Sequence, residues 1–159
     1  ASVVAWKQPL VMFEFGTFDG RTTRTMSLNA PDSATIHTLD LPPAEQHLPD
    51  GIVIGERLGP QPPGRVVQLW GNSRTMNFDP YAGRVDLVFI DAAHDYESVR
   101  HDSEVALRLL RPANHGIILW HDYGRFGGVT RAADELITRV PAPRHFCHLD
   151  GTTLAFLQT

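Results

Sequence analysis

Cysteine is almost missing from this 159-residue chain. Cys147 stands alone, so no intrachain disulfide and no cysteine-based zinc site can form. That scarcity fits a reducing compartment, and a cytoplasmic location is expected. Lysine is as scarce: Lys7 is the sole one, and the arginines are scattered. With a net charge of −4 and a pI near 6.0, the chain lacks the basic face that nucleic acid requires. No apolar run reaches membrane-spanning length, and the amino end carries no secretory leader pattern. Repeats and low-complexity tracts are absent too. What remains is 42% hydrophobic and 20% charged, the composition of a globular domain long enough to bury a core. One domain over residues 1–159 is expected.

Short β-rich runs alternate with helical ones. Residues 10–15, 34–39, 65–70, 86–90 and 116–120 read as buried strands. A helix is expected over residues 20–29, closed by Ala30-Pro31, because proline cannot continue it. A second spans residues 96–111, with Asp95 as N-cap and Val99, Ala106, Leu107 and Leu110 on one stripe. A third covers residues 129–140 with Ala132, Ala133, Leu136 and Ile137 inward. Residues 144–149 and 153–157, joined at Asp150-Gly151, predict a terminal hairpin. This alternation predicts an α/β fold: a doubly wound, mostly parallel, seven-stranded sheet with an antiparallel carboxyl-terminal edge. The chain enters a strand almost at once, as a domain cut from a longer protein would. Residues 41–64, rich in proline and glycine, form an expected long functional loop. Trp6, Trp70 and Trp120 read as core or pocket wall, and Cys147 as a buried thiol. His37, His47, His101, His115, His145 and His148 share no ligand spacing.

In an open α/β sheet, ligands bind outside the carboxyl ends of the strands. The first strand exits into Gly16 and Gly20, which allow close backbone approach, although Phe18 occupies the place of the middle glycine in the dinucleotide-binding pattern. The second exits into Asp40, an acid placed to accept from ribose hydroxyls. The third exits into Gly71-Asn72-Ser73, small and polar enough to border a base. The fourth ends in Asp91, with His94 three residues on, and the fifth in His121-Asp122. Neighbouring strands lie about 4.8 Å apart, so Asp91 and Asp122 can converge on one ligand. Two facing carboxylates repel unless a proton or cation lies between them. A hard divalent ion, magnesium foremost, suits that pair. His94 is a candidate general base, since imidazole titrates in the range such a base needs. His121 reads as a structural partner of a carboxylate. Asp91 can equally touch a cofactor's amino group, and Asp95 can cap its helix without any metal.

Taken in order, Phe13-Glu-Phe-Gly-Thr-Phe-Asp-Gly-Arg-Thr-Thr23, Thr38-Leu-Asp-Leu-Pro-Pro43, Gly71-Asn-Ser73, Phe89-Ile-Asp-Ala-Ala-His-Asp-Tyr-Glu97, Leu110-Arg-Pro112 and Trp120-His-Asp-Tyr123 resemble a class I S-adenosylmethionine-dependent methyltransferase. The likeness is to the branch of small-molecule and sugar O-methyltransferases, macrocin-type enzymes among them. It implies that Glu14, Gly16 and Gly20 cradle the methionine part, Asp40 the ribose, and Asn72 with Ser73 the adenine side. Thr17 and Leu41 join the cofactor residues they adjoin, and Asp91 serves both cofactor and catalysis. In metal-dependent relatives the metal binds the hydroxyl to be methylated, a role that falls here to Asp91 and Asp122. Two departures stand out: an Asp is common where Asn72 stands, and the lid helices that usually precede the first strand are missing. The implied partner is a small-molecule acceptor, without nucleic acid or membrane, and the oligomeric state stays open, a homo-oligomer included. A non-catalytic cofactor-binding module of a larger protein is the alternative. A two-histidine, one-carboxylate iron site, from His94, His121 and Asp91 or Asp122, is awkward, because successive strand side chains such as those of His121 and Asp122 point to opposite faces. A nicotinamide enzyme is disfavoured by the missing middle glycine.

Overall fold

Two strands without a single polar residue set the centre of the sheet. β4 (Leu87–Ile90) reads Leu-Val-Phe-Ile and β5 (Ile117–Trp120) reads Ile-Ile-Leu-Trp, and every one of these side chains is buried. Strands apolar on both faces need a layer on each side, which crossover helices supply. The computed structural model describes residues 1–46, 51–60, 65–112 and 116–159. Within them α1 (Ser2–Lys7) leads to β1 (Val11–Phe15), α2 (Arg21–Asn29), β2 (Thr35–Asp40) and β3 (Val66–Trp70). After β4 come α3 (Tyr96–Leu109), β5, α4 (Gly127–Arg139), β6 (His145–His148) and β7 (Ala155–Gln158).

The sheet order is β3-β2-β1-β4-β5-β7-β6. Strands β3, β2, β1, β4 and β5 run parallel, and β7 pairs antiparallel with both β5 and β6. The seven-stranded mixed sheet is the one the sequence predicts. Side-chain alternation then divides the core. Phe13, Phe15, Val88, Ile90, Ile118 and Trp120 meet α3 and α4 on one face. Met12, Ile36, Leu87, Phe89, Ile117 and Leu119 meet Val4 of α1 and Met26 of α2 on the other. Asp95 caps α3, accepting from Ser98 N at 3.0 Å. Arg65 holds the far end of α2, donating to Ser27 Oγ (2.9 Å) and to the carbonyls of Ala30, Pro31 and Asp32 at 3.0 Å each. It thereby fixes the turn that follows the helix, and it also donates to the Ser27 carbonyl, which the helix end leaves open.

Four local expectations change. The amino end is the short helix α1 rather than an immediate strand. Trp120 is fully buried with its indole N–H on Ser103 Oγ at 2.9 Å, but Trp6 and Trp70 are 67% and 48% exposed. Trp6 lies on a helix with only Val4 buried, and Trp70 ends the edge strand β3. Cys147 is exposed because β6 is the opposite edge. The hairpin turn is wider than Asp150-Gly151 alone: Leu149 N donates to Leu154 O, and Thr152 N back to Leu149 O. His47 and His115, with much of the proline-rich stretch, lie outside the described residues. Among the described residues no helix is long and apolar enough to cross a membrane.

Candidate functional site

The parallel ladder brings three strand exits level. Phe15 pairs with Ile90 and Ile90 with Trp120, so Gly16, Asp91 and His121 emerge side by side. β1 is also where the chain changes direction: it goes first to β2 and β3 on one side, then to β4 and β5 on the other. A crevice opens at such a switch point. Here it is a cavity of about 740 Å³ that runs from Asp40, Leu41 and Gln46 past Gly16 and Phe18 to Asn72 and Ser73, and on to Asp91, His94, His121 and Asp122. That volume lies within the range of small-molecule and cofactor sites.

Gly16 cannot be replaced by a larger residue. Its φ is +94°, and a Cβ there would sit 2.5 Å from Asp91 O. The β1 exit therefore packs directly on the β4 exit. Phe18 also holds a left-handed conformation, at φ +47°, and lines the cavity. What keeps it there is Asp40, whose Oδ2 accepts from Phe18 N at 2.8 Å. Asp40 Oδ1 accepts from Leu41 N and from Gln46 Nε2, each at 2.8 Å. Asp40 thus ties the β1 turn to the β2 exit while lining the cavity.

Glu14, Thr17 and Gly20 lie off the cavity lining. Glu14 is fully buried on the α2 face of the sheet, and its Oε2 accepts from the hydroxyls of Thr23 and Thr38. A relay runs into it from Gln68 Nε2 to Thr17 Oγ1 (3.0 Å), on to Thr38 Oγ1 (2.7 Å), and from Thr38 to Glu14 (2.6 Å). Burial, with the charges of Asp91 and Asp40 adding to it, pushes the Glu14 carboxyl up to about 8 against the two threonine hydrogen bonds. Gly20 is covered by Leu58 and Gly55. Residues 51–60 of the long loop bind over the β1 turn, through Gly55 N to Phe18 O (2.7 Å) and an Arg57–Asp19 ion pair at 2.8 Å.

On the other side of the cavity, Asp91, His121 and Asp122 offer ligand atoms all within 4.8 Å of one another. Adjacent His121 and Asp122 would diverge on a strand. They converge because Asp122 has left the ladder in a left-handed conformation, φ +59°. His121 Nδ1 lies 3.1 Å from Asp91 and 3.4 Å from Asp122, and the Asp91 carboxylate raises its pKa despite burial. Asp122 is 5% exposed. His94 Nε2 sits 3.0 Å from Asp122 Oδ2, and its ring packs tilted against Phe126, with centroids 4.5 Å apart. The loop that carries His94 is clamped by Gly128, where a Cβ would meet His94 O at 2.4 Å and Tyr96 N at 2.7 Å.

The cavity contains residues that the motifs did not reveal: Phe18, Gln46 and Asp102. For Asp102 a signal exists, since an acid three residues after Val99 falls on the inward stripe of α3.

A family described as "Methyltransferase domain" matches residues 13–123. The O-methyltransferase TomG from Streptomyces achromogenes, involved in tomaymycin synthesis and solved with SAM, superposes with a TM-score of 0.69 at 17% identity, over 99% of this chain and 76% of that one. The O-methyltransferase from Bacillus cereus, solved with SAH, gives 0.66 at 19% over 99% and 76%. A Podospora anserina methyltransferase, also SAH-bound, gives 0.70 at 16% over 98% and 74%. At these identities the likeness is one of fold. No curated protein matches the chain.

Proposed function

This chain belongs to the class I S-adenosylmethionine-dependent methyltransferase family, and from that premise we propose that it methylates an oxygen nucleophile on a small molecule. The observation that carries this reading is the single cavity that joins Asp40 and Ser73 at one end to Asp91, His94 and Asp122 at the other. S-adenosylmethionine and its product S-adenosylhomocysteine are the SAM and SAH bound to the similar structures. The residues here suit such a cofactor: an acid at the β2 exit, a glycine at the β1 exit that leaves the backbone bare, and a polar loop after β3. Gly16 and Asp91 would face the methionine part, Asp40 and Leu41 the ribose, and Asn72 and Ser73 the adenine. Glu14, Thr17 and Gly20 would act from behind, by holding the turn.

The bound sulfonium supplies an activated methyl group, so the protein's task is placement and deprotonation. With Asp122 accepting from His94 Nε2–H, the His94 Nδ1 lone pair is left to take the acceptor's hydroxyl proton. Asp122 then stabilises the imidazolium that forms. Asp91 flanks the same point. A divalent cation would be held by Asp91 and Asp122. Magnesium prefers an all-oxygen set, and the raised pKa of His121 means that a protonated imidazole competes for the same place. Metal assistance is therefore tested rather than built into the mechanism.

The test is calorimetric titration with S-adenosylhomocysteine, with and without magnesium, on wild type and Asp40→Ala. The expected result is binding that Asp40→Ala weakens at least about tenfold, roughly 1.4 kcal/mol. Methyl transfer from labelled cofactor to a panel of phenols, catechols and sugars completes it. Absence of binding by folded wild type overturns the reading. Binding without turnover on any acceptor favours a non-catalytic module of a larger protein.

A further inference from the structure

The third strand exit and α3 meet at one end of the cavity, and there a buried acid has been left without enough donors. Asp102 is 2% exposed, yet it lines the cavity beside Asn72, Ser73, Arg74 and Ser98. Among the described residues nothing donates to its Oδ1. A buried acceptor without a partner is costly, and such groups are rare unless something else answers them. Burial pushes this carboxyl up to about 6, against a hydrogen bond from Ser73 that pulls it down.

The loop after β3 is fixed in place around this acid. His101 Nε2 contacts Ser73 O at 3.0 Å, and Arg74 Nη2 reaches Ser98 Oγ at 3.2 Å. The Asn72 oxygen is already engaged, since Oδ1 accepts from Arg74 N at 2.9 Å in a turn, which leaves it one lone pair. Its other amide atom is a donor, the wrong sign for an amine. So the end of the cavity that borders the base has a buried carboxylate oxygen with no donor among the described residues, and that carboxylate comes from α3 rather than from the loop.

We propose that Asp102 reads the purine of the cofactor, its carboxylate accepting a hydrogen bond from the exocyclic amino group of adenine and so selecting a 6-amino over a 6-oxo base. This rests on the reading that the cavity holds S-adenosylmethionine. A 6-oxo purine turns a lone pair toward the carboxylate, and both acceptors are then left unpaired in a dry site. Asp102→Asn keeps the volume and the hydrogen bond to Ser73 while letting the side chain turn an N–H₂ toward either base.

The experiment compares S-adenosylhomocysteine with S-inosylhomocysteine by calorimetry, on wild type and on Asp102→Asn. Wild type is expected to bind the adenine compound at least about tenfold more tightly, as a hydrogen bond to a charged group predicts. In Asp102→Asn the ratio is expected to fall to about threefold or less. Equal binding of both compounds by wild type overturns the proposal without any variant, and so does a wild-type ratio that survives in Asp102→Asn. If folded wild type binds neither compound, the cofactor reading fails and this proposal falls with it. That outcome is distinct from tight but indiscriminate binding.

Discussion

The two sides of the cavity handle charge in opposite ways. Around β1 and β2 the acids are quenched from within. Asp40 takes donors from Phe18, Leu41 and Gln46, and Glu14 beneath it sits in a threonine relay with its carboxyl pushed up to about 8. Around β4 and β5, Asp91 and Asp122 have histidines as their nearest counterweights, with the Arg125 guanidinium farther off, 3.6 Å from Asp122 Oδ1. Hydrogen-bonded acids fix geometry whatever the proton balance around them. Acids balanced by imidazole respond to each proton that arrives or leaves. On the function proposed above, the first side holds a ligand and the second takes a proton from one.

Removing an imidazole from the second side sharpens this contrast most. His94→Gln is expected to lower kcat about a hundredfold, within the usual range for a lost general base, and to leave S-adenosylhomocysteine affinity within about twofold. Steady-state rates alongside calorimetry on the same preparations decide the matter. An equal loss of affinity would mean that His94 belongs to the binding side.

How much of this was legible in the sequence follows from what each residue type announces. Unbroken apolar strands and the proline after Asn29 leave few topologies open, so the sheet and its helices could be read directly. Asp40, Asp91, Asp122 and His94 were visible because an acid or histidine just past an apolar strand lies at the rim by construction. Asp102 was legible only as an acid on the inward stripe of α3, next to buried Ser103, and only packing shows that this part of the stripe overlooks a cavity. Glu14 was assigned to the rim by its motif, but strand alternation turns it to the face of Met12 and Thr38, beneath the turn. The meeting of His121 with Asp122 depends on one left-handed residue, which no local pattern marks. Trp70 and Cys147 were misplaced because hydrophobicity does not say which strand lies at the edge, and Trp6 because it does not say which side of a short helix meets the sheet.

Glu14→Gln tests whether the acid beneath the first side is neutral. With its carboxyl raised from the usual 4.5 to about 8, folded Glu14 holds a proton that the unfolded chain releases across that window. The stability this contributes is complete below 4.5 and is lost as pH rises toward and through about 8. Wild type should lose about 2 kcal/mol relative to Glu14→Gln between pH 6 and pH 8. Urea melts of both proteins at the two pH values measure it directly. Parallel pH dependence in the two proteins would mean that Glu14 is ionised, and that a full charge underlies the cofactor turn.

The smallest effect concerns Gln46, which separates holding a ligand from merely holding the loop. Gln46 Nε2 donates to Asp40 Oδ1 and to Leu41 O at 2.6 Å, so it occupies an acceptor that a ribose hydroxyl would use. Asp40 keeps its grip on the β1 turn through Phe18 N without any help from Gln46. Gln46→Ala should therefore free an acceptor at no cost to the turn, and tighten S-adenosylhomocysteine binding about two- to threefold, roughly half a kcal/mol. Weaker binding instead would show that Gln46 holds the carboxylate in its productive orientation. The acids of the first side would then depend on the long loop, as those of the second depend on their histidines.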